Sequence, residues 1–232
     1  MAINGSRRLL TVVGTIAIVA VASFAVAQQN ILNNPERSDA ERARDAGTKP
    51  LELYAFFGVE SGMTVGDLMP GGGYGTYILS KLVGEGGMVY SGPDRRGGVT
   101  TRVEGEGLAN VTIIADYAAM PAGSVDVLVT VRNVHDLINR SNATDPAREW
   151  LAALKPGGIL GVVDARTPKD GFDGNTHRIN QQLVIDQITA AGFTLVEASE
   201  LLANADDNFD ESSETGNRYE IDRMVLKFQK AR

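Results

Sequence analysis

The stretch Val65-Gly66-Asp67-Leu68-Met69-Pro70-Gly71-Gly72-Gly73-Tyr74-Gly75-Thr76 decides the fold. It joins an apolar run that ends in an acid to a three-glycine turn and then to the opening of a helix. The run predicts a short buried strand over Met63 to Leu68. The apolar spacing of Tyr74, Ile78, Leu79, Leu82 and Val83 predicts a helix from Gly73 to Val83, stopped by Gly84. Consecutive glycines let a backbone approach a ligand where any Cβ would clash. A helix that opens directly behind such a turn offers unpaired N–H groups to an anion.

A dinucleotide fingerprint requires G-x-G-x-x-G with an acid about 20 residues further on. Counted from Gly71 the sixth position is Thr76, and counted from Gly73 it is Ile78, so the third glycine is missing in either register. The pattern present is D-L-x-P-G-x-G-x-G, with its acid, Asp67, inside the strand before the turn.

Working outward, Glu36 to Ala46 is charged at nearly every third position and predicts a solvent-facing helix, with Arg42, Arg44 and Asp45 on a solvated face. Pro50 to Phe57 predicts a second helix, with Pro50 in its first turn, an apolar stripe of Leu51, Tyr54, Ala55 and Phe57, and Gly58 as its stop. Strands are expected at Met88–Ser91, Val111–Ala115, Val125–Val131, Ile159–Val163, Phe193–Glu197 and Tyr219–Gln229. The uninterrupted apolar run Val125–Val131 suits a parallel strand buried on both faces. Residues 95–109 are rich in glycine and charge, so the helix there should be short or lost. Asp145-Pro146 opens a helix as N-cap and N1, and His177 to Ala191 predicts another. Asn204 to Asn217 is acidic and aperiodic, which predicts a mobile excursion.

The first 27 residues stand apart. Arg7-Arg8, the apolar run Leu9 to Ala25 and Ala25-Val26-Ala27 before Gln28 have the form of a signal peptide cleaved after Ala27. An uncleaved membrane anchor is the alternative, because the apolar run approaches spanning length. Either outcome places the rest outside the cytoplasm, as periplasmic or secreted, and cleavage leaves no stable membrane insertion. Ser6-Arg7-Arg8-Leu9-Leu10 bears a faint resemblance to a twin-arginine export signal. Residues 28–35 should form a loose tether, and 36–232 a single domain with enough apolar material for a full core. Loss of two arginines and no acids on cleavage takes the formal charge from −7 to −9. A chain that acidic argues against nucleic acid as a partner. The absence of cysteine excludes disulfides, thiol catalysis and zinc sites of the Cys type.

The segments A-R-D-A-G-T-K-P, D-L-M-P-G-G-G-Y-G-T, N-V-H-D-L, L-K-P-G-G-I-L, H-R-I and D-R-M-V-L-K-F follow one another from residue 43 to residue 228. In this order and spacing they resemble the class I S-adenosylmethionine (SAM) methyltransferases, and in particular a group of bacterial predicted methyltransferases with exported members. The resemblance implies a three-layer, Rossmann-like α/β sandwich on a mainly parallel seven-stranded sheet with an antiparallel last strand. It also implies SAM as cofactor. By the same resemblance the turn of Met69, Gly71, Gly72, Gly73 and Tyr74 lies under the methionine part of SAM, with Asp67 near its amino group. Asp94, one residue later than the family acid, is either the ribose ligand or a surface turn acid. Asp116 either contacts the adenine amino group or caps the next turn. The family usually has glycine where this chain has Met69.

Methyl transfer is an in-line displacement, so catalysis is mostly positioning, with a base where the acceptor must lose a proton. Histidine suits that task near neutrality. Of the two histidines, His135 follows the fourth expected strand at the edge where open α/β sheets bind ligands. His135 with Asp136 is the first choice for the acceptor side, and Asn133 could hold the acceptor or a SAM carbonyl. Burial of His135 as a satisfied structural residue is the competing reading, and His177 beside Arg178 is read as a structural residue at a helix start. No ligand spacing suggests a metal. The expected acceptor is a small molecule, and oligomeric state is not legible. The alternative to an enzyme is an exported module that keeps the fold for ligand binding or regulation without turnover.

Overall fold

The computed structural model describes residues 30–35, 37–215 and 218–232, so the expected signal peptide lies outside the described residues. Residues 30–35, part of the expected tether, lie against the domain. Ile31 and Leu32 pack on its apolar cluster, and Asn34 Nδ2 donates to the Tyr77 hydroxyl at 2.8 Å.

Helices α1 (Asp39–Thr48) and α2 (Pro50–Phe57) precede the sheet. Then follow β1 (Thr64–Leu68), α3 (Tyr74–Val83), β2 (Met88–Gly92), α4 (Gly98–Gly105) and β3 (Val111–Ile113). After a 3-10 turn at Tyr117–Ala119 come β4 (Val125–Val131), α5 (Val134–Arg140), α6 (Thr144–Ala153) and β5 (Leu154–Thr167). A small pair, β6 (Phe172–Asp173) and β7 (Arg178–Asn180), leads into α7 (Gln181–Ala190), β8 (Thr194–Ser199) and β9 (Arg223–Gln229). The central sheet runs β3-β2-β1-β4-β5-β9-β8, parallel throughout except for β9, which is antiparallel to both neighbours. The carboxyl end of β5 also carries β7, with Arg166 opposite Ile179 and Thr167 opposite Asn180.

Alternation along the strands builds two cores, one on each face. Leu68, Leu128, Leu160 and Leu226 face α6 and α7 and meet Trp150 and Ile188. Val65, Val129, Val163 and Val225 face α2 and α3 and meet Tyr54, Phe57, Ile78 and Leu79. This is the three-layer sandwich that the resemblance implies. Gly161 brings α2 onto the sheet: a Cβ there would lie 2.6 Å from the Phe57 ring, so only glycine leaves room for that packing. The chain reverses its order of strands between β1 and β4. Their carboxyl ends therefore flank the crevice where this kind of sheet binds ligands.

Three expectations about elements need correction. The helix expected from His177 begins at Gln181, because Arg178 is pulled into a strand. Its guanidinium is fully buried, pairs with Asp207 at 2.6 Å and donates to the Glu211 carbonyl at 3.0 Å. Asn180 then caps α7, accepting from Leu183 N–H at 3.2 Å. By the same contacts the acidic segment from Asn204 is fastened down, since Asp207 is buried against Arg178 and accepts from the Asp222 and Phe209 N–H groups. Asp145 is not the N-cap of α6: the helix starts at Thr144, and the Asn142 side chain accepts the Asp145 N–H at 2.9 Å. The helix between β2 and β3 is short, at eight residues.

Candidate functional site

Asp67 sits one residue before the end of β1, flanked by β2 and β4, and is 5% exposed. Its Oδ2 accepts from the Thr76 hydroxyl at 2.7 Å, and Thr76 in turn shares a hydrogen bond with Ser91 at 2.8 Å. No ion pair reaches it among the described residues, although Arg44 lies near enough to favour its charge. Burial outweighs the Thr76 hydrogen bond and Arg44, and the carboxyl pKa rises to about 6. Gly75 permits this arrangement, because a Cβ there would lie 2.8 Å from the Tyr54 hydroxyl and 3.0 Å from Asp67 Oδ2. Asp67, Tyr54, Met69, Tyr74, Gly75 and Arg44 line a small cavity of about 60 Å³.

The turn after β1 is strained at one residue. Met69 has φ 56°, a left-handed conformation that glycine adopts freely and a side chain resists. That is the position where the resemblance leads to an expectation of glycine. Gly71 (φ 59°) and Gly72 have open space where a Cβ would stand, and Gly73 (φ 80°) caps α3.

Helix α1 roofs the cavity, and its charges are not the solvated face expected for Arg44 and Asp45. Asp45 receives a bidentate pair from Arg37 at 2.6 and 2.7 Å, with the Arg37 side chain 1% exposed. It also accepts from the Tyr74 hydroxyl at 2.6 Å, which ties the roof to the first turn of α3. Arg44 lies against the Tyr74 ring at 3.9 Å and the Tyr219 ring at 4.9 Å. Tyr74 is thus a tether as well as a lining residue. Arg42 alone behaves as surface, pairing with exposed Asp39.

At the end of β4, Arg132 takes φ 62° and turns the chain into α5. Asn133 spends its amide on backbone, donating to Val131, Leu68 and Met69 carbonyls at 2.9, 3.2 and 3.3 Å. It clamps the ends of β1 and β4 together, so it positions the turn and does not reach out as expected. His135 is 3% exposed, and its Nδ1 lies 2.7 Å from Asp164 Oδ1 while its N–H bonds Oδ2 at 2.9 Å. Burial disfavours the imidazolium, but the charge and hydrogen bond of Asp164 more than offset it and raise the pKa. The ring stacks on Phe172 at 6.0 Å and meets His177 edge-on at 5.9 Å. His177, at φ 51° in the turn before β7, thus joins the His135 cluster instead of starting a helix. Asp136 points away, into an exposed pair with Arg140 at 3.4 Å.

Asp94 and Asp116 line one open cleft of about 640 Å³ with Pro93, Ile113, Ile114 and Tyr117. Asp94 Oδ2 accepts from the Thr100 N–H and hydroxyl at 2.9 and 2.7 Å, and the hydroxyl bond above all keeps its pKa low. Asp116 caps the 3-10 turn through Ala119 N–H at 3.0 Å. Each expected cofactor acid therefore faces the cleft and also orders its own loop. Thr76, Tyr54 and Asp164 join the site without having been singled out for it. The position of Asp164 at the carboxyl end of a strand beside β4 was the available signal.

No family model matches the chain, and no curated protein sequence matches it. Solved structures do share its fold. A SAM dependent methyltransferase from Aquifex aeolicus aligns with a TM-score of 0.60 at 21% identity, over 78% of this chain and 88% of that one. One from Mesorhizobium loti aligns with a TM-score of 0.56 at 13% identity, over 78% and 96%. The cyclase SpnF also aligns, with a TM-score of 0.60 at 16% identity, over 84% of each chain. At these identities the likeness establishes the fold, and one fold hosts more than one chemistry.

Proposed function

We propose that this chain is a SAM-dependent methyltransferase acting on a small acceptor outside the cytoplasm. The observation that carries the reading is Asp67, a buried carboxylate at the glycine turn that forms no ion pair among the described residues. Such a group is costly unless a ligand pairs with it. The amino group of the methionine part of SAM has the required charge, and the small cavity has room for such a head group. Open space above Gly71 and Gly72 suits close approach of the same ligand to the backbone. Asp94 and Asp116 would meet its nucleoside in the cleft between β2 and β3.

Bound SAM supplies an electrophilic methyl group on a sulfonium. The chain's own part is to align an acceptor with it and, where needed, to take a proton. With Nδ1–H donated to Asp164, neutral His135 carries its lone pair on Nε2, as a general base requires. Asp164 would also stabilise the imidazolium that results. Because His135 is buried, the dyad serves turnover only where an acceptor reaches Nε2. Export rests on the n-region, apolar run and A-x-A site of residues 1–27.

Calorimetric titration with SAM and with S-adenosylhomocysteine (SAH) tests the reading. One-to-one binding of both below millimolar concentrations is expected, and no binding of either would refute it. His135→Ala should retain SAH affinity; a parallel loss of affinity would mark His135 as purely structural.

A further inference from the structure

Three guanidiniums lie within reach of one another's charge, and one of them, Arg44, lines the Asp67 cavity. Arg44 comes from the roof helix α1, Arg132 from the end of β4, and Arg223 from the start of β9. The side chains of Arg44 and Arg223 meet at Tyr219. Arg223 Nη2 donates to the carbonyls of Gly47 at 2.5 Å and Tyr219 at 2.6 Å, and Arg44 lies against the Tyr219 ring. Arg132 Nη2 donates to the Ser213 carbonyl, and Ser213 Oγ to the carbonyl of His177, which places Arg132 beside the His135 cluster.

None of the three forms an ion pair among the described residues; Asp67 lies near Arg44 without pairing with it, and the other neighbouring carboxylates are engaged. Asp45 holds Arg37, Asp164 holds His135, and Asp222 holds Arg166. Among the described residues each of the three also keeps a buried Nε without a hydrogen-bond partner, and Arg223 is only 3% exposed. Burial, followed by the charges of Arg132 and Arg44, lowers the Arg223 pKa to about 10, and burial likewise lowers that of Arg132. In a chain of net charge −7, a concentration of mutually repelling cations, Arg223 buried and Arg44 and Arg132 half-buried, is a cost that folding alone does not explain.

We propose that Arg44, Arg132 and Arg223 form an oxyanion site, and that the methyl acceptor is an anionic small molecule held there by a carboxylate or phosphate group. Planar guanidiniums suit both groups through paired in-plane N–H donors. The tyrosine rings beside Arg44 leave its edge as the hydrogen-bonding face. The acceptor would thus lie between the glycine turn and His135. The assignment rests on the methyltransferase reading for the word acceptor, whereas the anion site stands on the arginines themselves.

The test uses the full chain at pH 7.5 with SAH saturating, titrated with inorganic phosphate and separately with benzoate, at ionic strength held constant with chloride. Saturable binding of phosphate marks a phosphorylated acceptor, and saturable binding of benzoate marks a carboxylic acid. Arg132→Met should weaken the bound anion at least tenfold, change SAH affinity less than twofold, and raise the melting temperature of the ligand-free protein. A merely structural arginine would lower that temperature on removal. Arg132→Lys, which keeps the charge and loses the planar fork, should bind with intermediate affinity. Absence of saturable binding by both anions would overturn the proposal, as would anion affinity unchanged in Arg132→Met. So would a parallel loss of SAH affinity, which would give these arginines to the cofactor. Anion binding in a protein that does not bind SAH would leave the oxyanion site standing and remove the methyltransferase reading.

Discussion

At the scale of single residues, Asp67 carries a cost to the fold that the proposed ligand would offset. Its carboxyl pKa rises on folding from 3.8 to about 6, so between those values the native state holds a proton that the unfolded chain releases. Stability contributed at this residue is therefore highest below about pH 4 and falls as pH rises to about 6, by about 3 kcal/mol in total. Asp67→Asn removes the penalty and keeps an acceptor for the Thr76 hydroxyl. At pH 7.5 it should be more stable than the parent by up to about 3 kcal/mol in urea unfolding. His135 behaves in the opposite sense. Its raised pKa contributes stability that is complete below about pH 6.5 and lost as pH climbs through the folded value. Asp164→Asn takes away the raising partner and leaves burial, so the His135 ring, followed by NMR, should titrate below about 6.5 instead of above it.

At the scale of elements, the roof helix α1 depends on one buried ion pair. Asp45→Ala strands the Arg37 guanidinium and removes the acceptor of the Tyr74 hydroxyl, at a cost of about 3 kcal/mol. Hydrogen exchange should accelerate in α1 and at the first turn of α3 while β1, β4 and β5 stay protected. Asp207→Ala should likewise free residues 204–215 for proteolysis, because it leaves Arg178 buried and unpaired. These are the two places where charge patterning in the sequence misleads. Charged residues at every third position imitate a solvated helix, and a run of acids imitates disorder, until a buried arginine distant in sequence claims one of them. Arg37 is paired across eight residues and Arg178 across twenty-nine, and neither distance leaves a local signature.

At the scale of the whole molecule, most of the sheet was legible. Buried parallel strands read as continuous apolar runs such as Val125–Val131, and glycines mark where helices stop. The strand at Arg178–Asn180 was not, because its three residues continue the helical apolar spacing of Ile179, Leu183 and Val184 and only tertiary contact separates them. Within the site, the glycine turn and Asp67 were visible from type and spacing. The clustering of Arg44, Arg132 and Arg223 was invisible, since α1, β4 and β9 meet only in the folded chain. Met69 shows the converse: its departure from glycine was legible, and its left-handed backbone is the structural consequence. The central claim is that Asp67 holds a cationic ligand group at the glycine turn. SAH affinity of the parent and of Asp67→Asn, measured by calorimetry between pH 5 and pH 8, tests it most directly. The expected result is parent binding that weakens as pH falls through about 6, with Asp67→Asn at least tenfold weaker at pH 7.5 although better folded. Equal affinities, or a parent that binds no SAH at any pH, would contradict it.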